Sequence, residues 1–131
     1  MEFPNQVTNF KLHKSEKLCS QTAINALFDH NKDAKGAIAY PLRIVSAPRT
    51  APRRNGAAPV QFLISVPKKR LRHAVDRVRM RRLIREAFRL NRDKITADPA
   101  QPLDIAFIYV GSGLTSYARV ERAMIKLLAT L

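Results

Sequence analysis

Arginine is the residue type whose number and spacing in this chain could do chemistry. Between Lys68 and Arg92 stand eleven basic residues (Lys68, Lys69, Arg70, Arg72, Arg77, Arg79, Arg81, Arg82, Arg85, Arg89 and Arg92) against two acidic ones, Asp76 and Glu86. The whole chain has 131 residues with 24 Lys+Arg and 10 Asp+Glu, a formal charge of +14, so this one segment holds +9 and leaves +5 for the rest. At 100° per residue Met80, Leu83, Ile84, Ala87 and Phe88 gather on one flank of a helix, and Arg81, Arg82, Arg85, Arg89 and Arg92 gather on the other. A solvated helix face ordinarily interleaves Glu with Lys or Arg at four-residue spacing. Here Arg81 and Arg85, Arg85 and Arg89, and Arg82 and Arg85 are like-charged neighbours that repel. A polyanion relieves that repulsion, and the planar guanidinium suits it, making paired hydrogen bonds to phosphate and stacking on unpaired bases. The chemistry implied is recognition of nucleic acid, with Lys68, Lys69, Arg70, Arg72, His73, Arg77, Arg79, Arg81, Arg82, Arg85 and Arg89 as the contacting set. Val78 interrupts it: an apolar residue stands where the wheel asks for a polar one.

Bond-breaking chemistry has no comparable pattern. Asp29, Asp33, Asp76, Glu86 and Asp104 fall on different elements, and Glu86 reads as an ion-pair partner within its helix. His13, His30 and His73 lack metal-ligand spacing, and the single Cys19 excludes an internal disulfide framework. No catalytic residue and no metal site is assigned to the protein.

The elements that must position the arginines follow from periodicity. A short amphipathic helix is expected from about Ser20 to His30, with Ser20 as N-cap and Ala23, Ile24, Leu27 and Phe28 on one face. Two strands follow, from Pro41 to about Ser46 and from Val60 to Val66. The loop between them, Ala47 to Pro59, is rich in proline and arginine and is expected to be mobile, and the two strands are expected to be antiparallel neighbours. The basic helix runs to about Arg92 and is broken by DPAQP at Asp98 to Pro102. A third strand, Leu103 to Val110, is apolar on both faces. A last helix from Thr115 or Ser116 presents Tyr117, Val120, Met124, Leu127 or Leu128, and Leu131. The order is α-β-β-α-β-α, with NFKL at Asn9 to Leu12 available as an extra edge strand. It suggests an α+β fold, a two-layer sandwich of three helices on a small, mostly antiparallel sheet. One domain over 1–131, with 1–9 flexible, accommodates the length, and 46% hydrophobic residues suffice for its core. No signal segment or membrane-length apolar run is present, so a cytoplasmic protein is expected.

The run FLISVPKKRLRHAVDRVRMRRLIREAFRLNR, Phe62 to Arg92, closely resembles the signature region of the bacterial ribonuclease P protein subunit, in which a strand ending in two lysines precedes an Arg-Asn-Arg helix. The order of elements is similar over roughly residues 10 to 130, including EKL at Glu16 to Leu18. Arg77 and Arg79 match the two motif arginines, Arg81, Arg82 and Arg85 the basic positions after them, and Lys68 and Lys69 the lysine pair; Val78 replaces the motif asparagine. The resemblance implies a left-handed βαβ crossover around the basic helix. It also implies assembly with a catalytic RNA that uses Mg²⁺ to hydrolyse one phosphodiester of precursor tRNA, releasing the 5′ leader. The protein would bind the RNA subunit and precursor tRNA, with no membrane and no protein partner implied and no cofactor of its own. A cleft between the first helix and the sheet would hold the leader as a single strand, with Ile24, Phe28, Arg43, Ile44 and Lys69 as its residues and fewer aromatics than the family usually offers.

Two other readings compete. A structural ribosomal RNA-binding protein can share such a sandwich and basic helix, but the lysine pair followed by the arginine cluster favours ribonuclease P. A DNA-binding helix in a major groove would want a helix-turn-helix partner and a short set of base-reading polar side chains, and neither is evident.

Overall fold

The computed structural model describes residues 12, 16–18, 21–28, 35–48, 60–95 and 102–131. Helix α1, Gln21–Phe28, falls within the expected span and turns Leu27 inward. Strands β1, Lys35–Ala39, and β2, Leu42–Pro48, form an antiparallel hairpin turned at Tyr40 and Pro41, whose peptide bond is cis. Strand β3, Val60–Ser65, leads through a tight turn into helix α2, Ala74–Asn91, and a single 3₁₀ turn at Arg92–Lys94. Strand β4, Leu103–Tyr109, and helix α3, Tyr117–Leu128, complete the chain.

The sheet order is β1-β2-β4-β3, with β2 antiparallel and β3 parallel to β4. The expected pairing of β2 with β3 is therefore wrong. Strand β4, LDIAFIY, is apolar on both faces, and the place that covers both its faces and both its edges is the middle of the sheet. Its parallel pairing with β3 requires a crossover, which α2 supplies. The sheet has an edge strand that periodicity did not show, β1, Lys35–Ala39. KGAIA offers little alternation, and its register comes from the hairpin, Ala39 opposite Leu42 and Lys35 opposite Ser46. Of the proposed NFKL strand only Leu12 is described, packed against the main core. Ala47 and Pro48 belong to β2 rather than to the loop, whose other residues, 49–59, lie outside the described residues, as do 1–9.

Strand parity divides the core in two. Leu42, Ile44, Phe62, Ile105, Phe107 and Tyr109 face α2 and α3, whose Met80, Ile84, Phe88, Val120, Met124 and Leu128 are buried against them. Val45, Ala47 and Ala106 point through the other side of the sheet and meet Leu18 and Leu27. The sandwich thus has helices on both faces, not the two layers expected. Strand β2 buries every residue from Leu42 to Ala47 except Arg43, so each face needs its own cover.

Three aromatic rings seat α2 on the sheet. Phe88 lies 4.5 Å from Phe62 and 5.4 Å from Phe107 between ring centroids, in tilted arrangements, each pair contributing roughly 0.5–1.5 kcal/mol beyond its buried area. The far end of α2 is tied to α3 by polar contacts. The buried Asn91 side-chain amide donates to the Ala87 carbonyl at 2.9 Å and to Glu121 Oε2 at 3.0 Å, and the Tyr117 hydroxyl donates to the same oxygen at 3.0 Å. Burial first, then the Glu121 carboxylate, pushes the Tyr117 hydroxyl up to about 12. After β4 the Tyr109 hydroxyl donates to the Gly113 carbonyl. Gly111 permits that closure, for a Cβ there would stand 2.5 Å from Tyr109 Oη.

Candidate nucleic-acid interface

Leu71, buried, anchors the turn before α2, and the Arg70 and Leu71 amides donate to the Pro67 carbonyl at 3.0 and 3.3 Å. Those contacts leave Lys68, Lys69, Arg72 and His73 exposed and Arg70 half-buried. His73 is the extended residue at the N-terminus of α2 and makes no side-chain cap. Arg77 closes the turn instead, its Nη1 donating to the carbonyls of Leu71 at 3.0 Å and Arg72 at 2.8 Å.

Along α2 the division read from the wheel holds for the apolar flank: Met80, Ile84, Ala87 and Phe88 are buried and Leu83 half-buried. On the other flank the arginines separate by partner. Arg89 makes a two-pronged bond to Glu86, Nε at 3.0 Å from Oε1 and Nη2 at 2.6 Å from Oε2, which holds the Glu86 carboxyl below its ordinary range. Arg92 pairs with Glu16, beside Lys17, which bridges to Phe62 at the edge of β3. Arg79, Arg82 and Arg85 are exposed and Arg81 half-buried, and among the described residues none of these four meets a carboxylate. What α2 offers solvent is thus four unpartnered guanidinium groups, flanked by the lysine turn.

The sheet face under α1 is only partly covered. The register sets exposed Arg43 beside half-buried Ile108, and Ile108 beside half-buried Ser65. On α1, Ile24 packs with the cluster that includes Leu63 and Ile108, while Phe28 is 49% exposed. Such a floor, with a cation, an aliphatic side chain and a free aromatic ring near the sheet's covered half, has the makings of a single-strand groove.

Comparison with known proteins decides what the arrangement belongs to. Residues 12–131 match the family described as Ribonuclease P. A ribonuclease P protein component of Porphyromonas gingivalis is 40% identical over 120 residues, covering 89% of this chain and 83% of that protein. One from Chlorobium phaeobacteroides is 33% identical over 118 residues, covering 84% and 78%. The chain belongs to the ribonuclease P protein family. It is accordingly a subunit of an endoribonuclease of tRNA maturation, which processes precursor-tRNA 5′ leaders with an RNA subunit. The fold agrees: the RNase P protein from Thermotoga maritima superposes with a TM-score of 0.63 at 21% identity, covering 88% of this chain and 97% of that one.

In family terms, the two motif arginines have different surroundings. Arg79 is exposed, whereas Arg77 directs two N–H groups at its own backbone. Val78, at the asparagine position, is 40% exposed, and Val75 one turn earlier is 77% exposed, so a pair of bare valines sits at the start of the arginine face. Of the cleft residues expected from the family, Ile24, Phe28, Arg43 and Lys69 remain available to a ligand, but Ile44 does not: it is 1% exposed on the opposite sheet face, beneath the helices. Adjacent strand positions point to opposite faces, so Arg43 and Ile44 could not both line one cleft. Sequence reasoning missed Ile108 and Ser65, because only the strand order brings them beside Arg43.

Proposed function

We propose that the arginine face of α2 and the turn before it bind the RNA subunit of ribonuclease P, while the sheet face between α1 and Arg43 receives the single-stranded 5′ leader of precursor tRNA. Lys68, Lys69, Arg79, Arg81, Arg82 and Arg85 supply the phosphate contacts, with Arg70, Arg72 and His73 beside them. Arg77 and Arg89 act mainly by holding the turn and the helix surface in shape. The leader lies over Arg43 and Ile108, with Phe28 as its stacking ring, Ile24 as an apolar wall and Lys69 at its exit. The observation that carries the reading is the set of four arginines, unpartnered among the described residues, on one flank of a helix whose other flank is sealed into the core. A helix accepts such repulsion at a cost of roughly 0.2–0.5 kcal/mol per neighbouring pair, and binding to phosphate recovers it.

The protein positions the substrate and neutralises charge; the phosphodiester is hydrolysed in the RNA, with Mg²⁺ held there. Among the described residues no three His, Cys, Asp or Glu side chains gather around one point that could hold an ion. Asp76, Glu86, Asp104 and Glu121 sit on different elements or faces, Glu86 and Glu121 already hydrogen-bonded, so no step is routed through a metal on the protein. The setting is the cytoplasm, and the family resemblance supports a left-handed crossover from β3 through α2 to β4. Among the described residues no helix is long and apolar enough to cross a membrane.

The test is reconstitution. The protein is added to its cognate ribonuclease P RNA at a Mg²⁺ concentration too low for the RNA alone, and cleavage of a precursor tRNA is followed. Restored 5′ maturation is the expected result. A folded protein that leaves the RNA inactive at low Mg²⁺ sinks the assignment of substrate positioning and charge neutralisation to this chain.

A further inference from the structure

A second basic site lies on α3, at the opposite edge of the sheet. Arg119, Arg122 and Lys126 follow one another at i, i+3 and i+7, all exposed, and with Ala39, Tyr40 and Ala123 they line a cavity of about 280 Å³. Nothing in the fold asks for this charge. Arg119–Arg122 and Arg122–Lys126 are like-charged neighbours, and Arg119 stands in the first turn, where the helix dipole disfavours a cation. The one carboxylate on α3, Glu121, is turned away toward Asn91 and Tyr117. Among the described residues none of the three cations meets an acid. At the mouth stands Tyr40, 62% exposed, an aromatic ring presented to solvent at the hairpin turn.

Helix α3 packs over β1 and β2, whereas α2 packs over β3, with Arg92 reaching Glu16 on that side. Although α2 and α3 pack on each other, the cavity is lined by the hairpin turn and α3 and by no residue of α2, so it is not a continuation of the arginine face. The cavity falls just below the roughly 300–1,000 Å³ of sites that enclose a whole small molecule. It is the size for one base or one phosphate of a longer ligand. Cations in a row along a helix with an aromatic face beside them are the recurring parts of a single-strand nucleic-acid site, the cations tracking the backbone and the ring taking a base.

We infer that the Tyr40–Arg119–Arg122–Lys126 cavity binds a single-stranded RNA segment, one base stacked on Tyr40 and its flanking phosphates on the three cations, a third RNA contact beside the arginine face and the leader groove. The inference takes from the preceding reading only that the partner is RNA.

The test uses the full chain and an eight-nucleotide single-stranded RNA of mixed sequence, followed by amide NMR shifts and by fluorescence anisotropy across salt concentrations. Three proteins are compared: the unaltered chain, R81Q/R82Q/R85Q and R119Q/R122Q/K126Q. The Tyr40 and α3 amides are expected to shift in the first two and not in the third, whose log K against log salt flattens by about 2, at roughly 0.7 per phosphate contact. Tyr40→Leu should weaken binding at this site roughly fivefold or more, and Tyr40→Phe should retain it. Thermal melting of each variant reports that it is folded. RNA shifts confined to α2, its turn and the groove around Arg43 and Phe28 overturn this inference and leave the proposed function standing. No shifts anywhere in the unaltered chain overturn both. Inorganic phosphate reproducing the Tyr40 and α3 shifts at the same concentration as the octanucleotide also overturns it, showing a plain anion pocket.

Discussion

Neutralising Arg81, Arg82 and Arg85 together with Gln separates folding from RNA binding in one experiment. None of the three has an acidic partner among the described residues, and Gln has nearly the helix propensity of Arg, so the intramolecular effect is the loss of mutual repulsion. Five like-charged neighbour pairs disappear, Arg77–Arg81, Arg79–Arg82, Arg81–Arg85, Arg82–Arg85 and Arg85–Arg89, at roughly 0.2–0.5 kcal/mol each, offset by one favourable Arg82–Glu86 spacing of similar size. The variant should therefore be as stable as the parent or about 1–2 kcal/mol more stable. RNA binding goes the other way. Removing one cation from a phosphate lowers the slope of log K against log salt by about 0.7–0.9, so removing all three lowers it by about 2–3. With the two proteins converging near 1 M salt, that slope corresponds to a loss of affinity of roughly 50- to 300-fold at 0.15 M. The assays are filter binding to the RNA subunit from low to high salt, and urea unfolding of the free protein. A midpoint that falls substantially on substitution would mean the arginines hold the fold together. Unchanged affinity at low salt would mean the RNA lies elsewhere. Either outcome refutes the argument.

Three further outcomes follow from the core and the site. Val78→Asn should leave urea stability within about 0.5 kcal/mol, since the side chain is 40% exposed, and leave RNA affinity equal or tighter; weaker binding would show that Val78 makes an apolar contact with RNA. Gly111→Ala forces the Tyr109 ring to move, and should destabilise by about 1–3 kcal/mol; an unchanged midpoint would show that the loop yields freely. Tyr117 has its pKa raised to about 12 in the folded protein against about 10 unfolded, so its contribution is complete below pH 10 and is lost as pH rises toward 12. The difference in stability between the native chain and Tyr117→Phe should therefore change across that interval and nowhere lower, read by urea unfolding at a series of pH values.

The arginine helix was legible because it carries two signals at once, an apolar stripe at helical spacing and a charge run with too few acids to neutralise it. Helix α3 was legible for the first reason alone. The sheet order was not, since alternation in Leu42 to Ser46 and Val60 to Ser65 says which residues share a face but nothing about which strand lies alongside. The continuous apolar run of Leu103–Tyr109 did contain the answer: a strand buried on both faces belongs in the middle. Strand β1 escaped because Gly36 and three alanine or isoleucine neighbours have no period to read, and its place depends on the hairpin. The same parity argument that places Arg43 in the open groove removes Ile44 from it, so one wrong cleft residue came from carrying a family position across without asking which face it occupied.

Partners decide which arginines serve the fold and which the ligand, and a sequence shows only the cations. Arg77, Arg89 and Arg92 are as basic as their neighbours on the wheel, yet each is engaged within the chain, by backbone carbonyls, by Glu86 and by Glu16. Arg79, Arg81, Arg82 and Arg85 lie between them without such a partner among the described residues. The engaged arginines bracket the unengaged ones, Arg77 at the start of the helix and Arg89 and Arg92 at its end, so the contacts that fix both ends also fix the direction in which the middle is presented. On that reasoning Arg92→Ala should weaken RNA binding only through the pose of the helix, and Arg92→Lys, which can still reach Glu16, should keep most of the parent affinity in filter binding. At Arg82 or Arg85 the loss should follow the charge itself and its salt dependence.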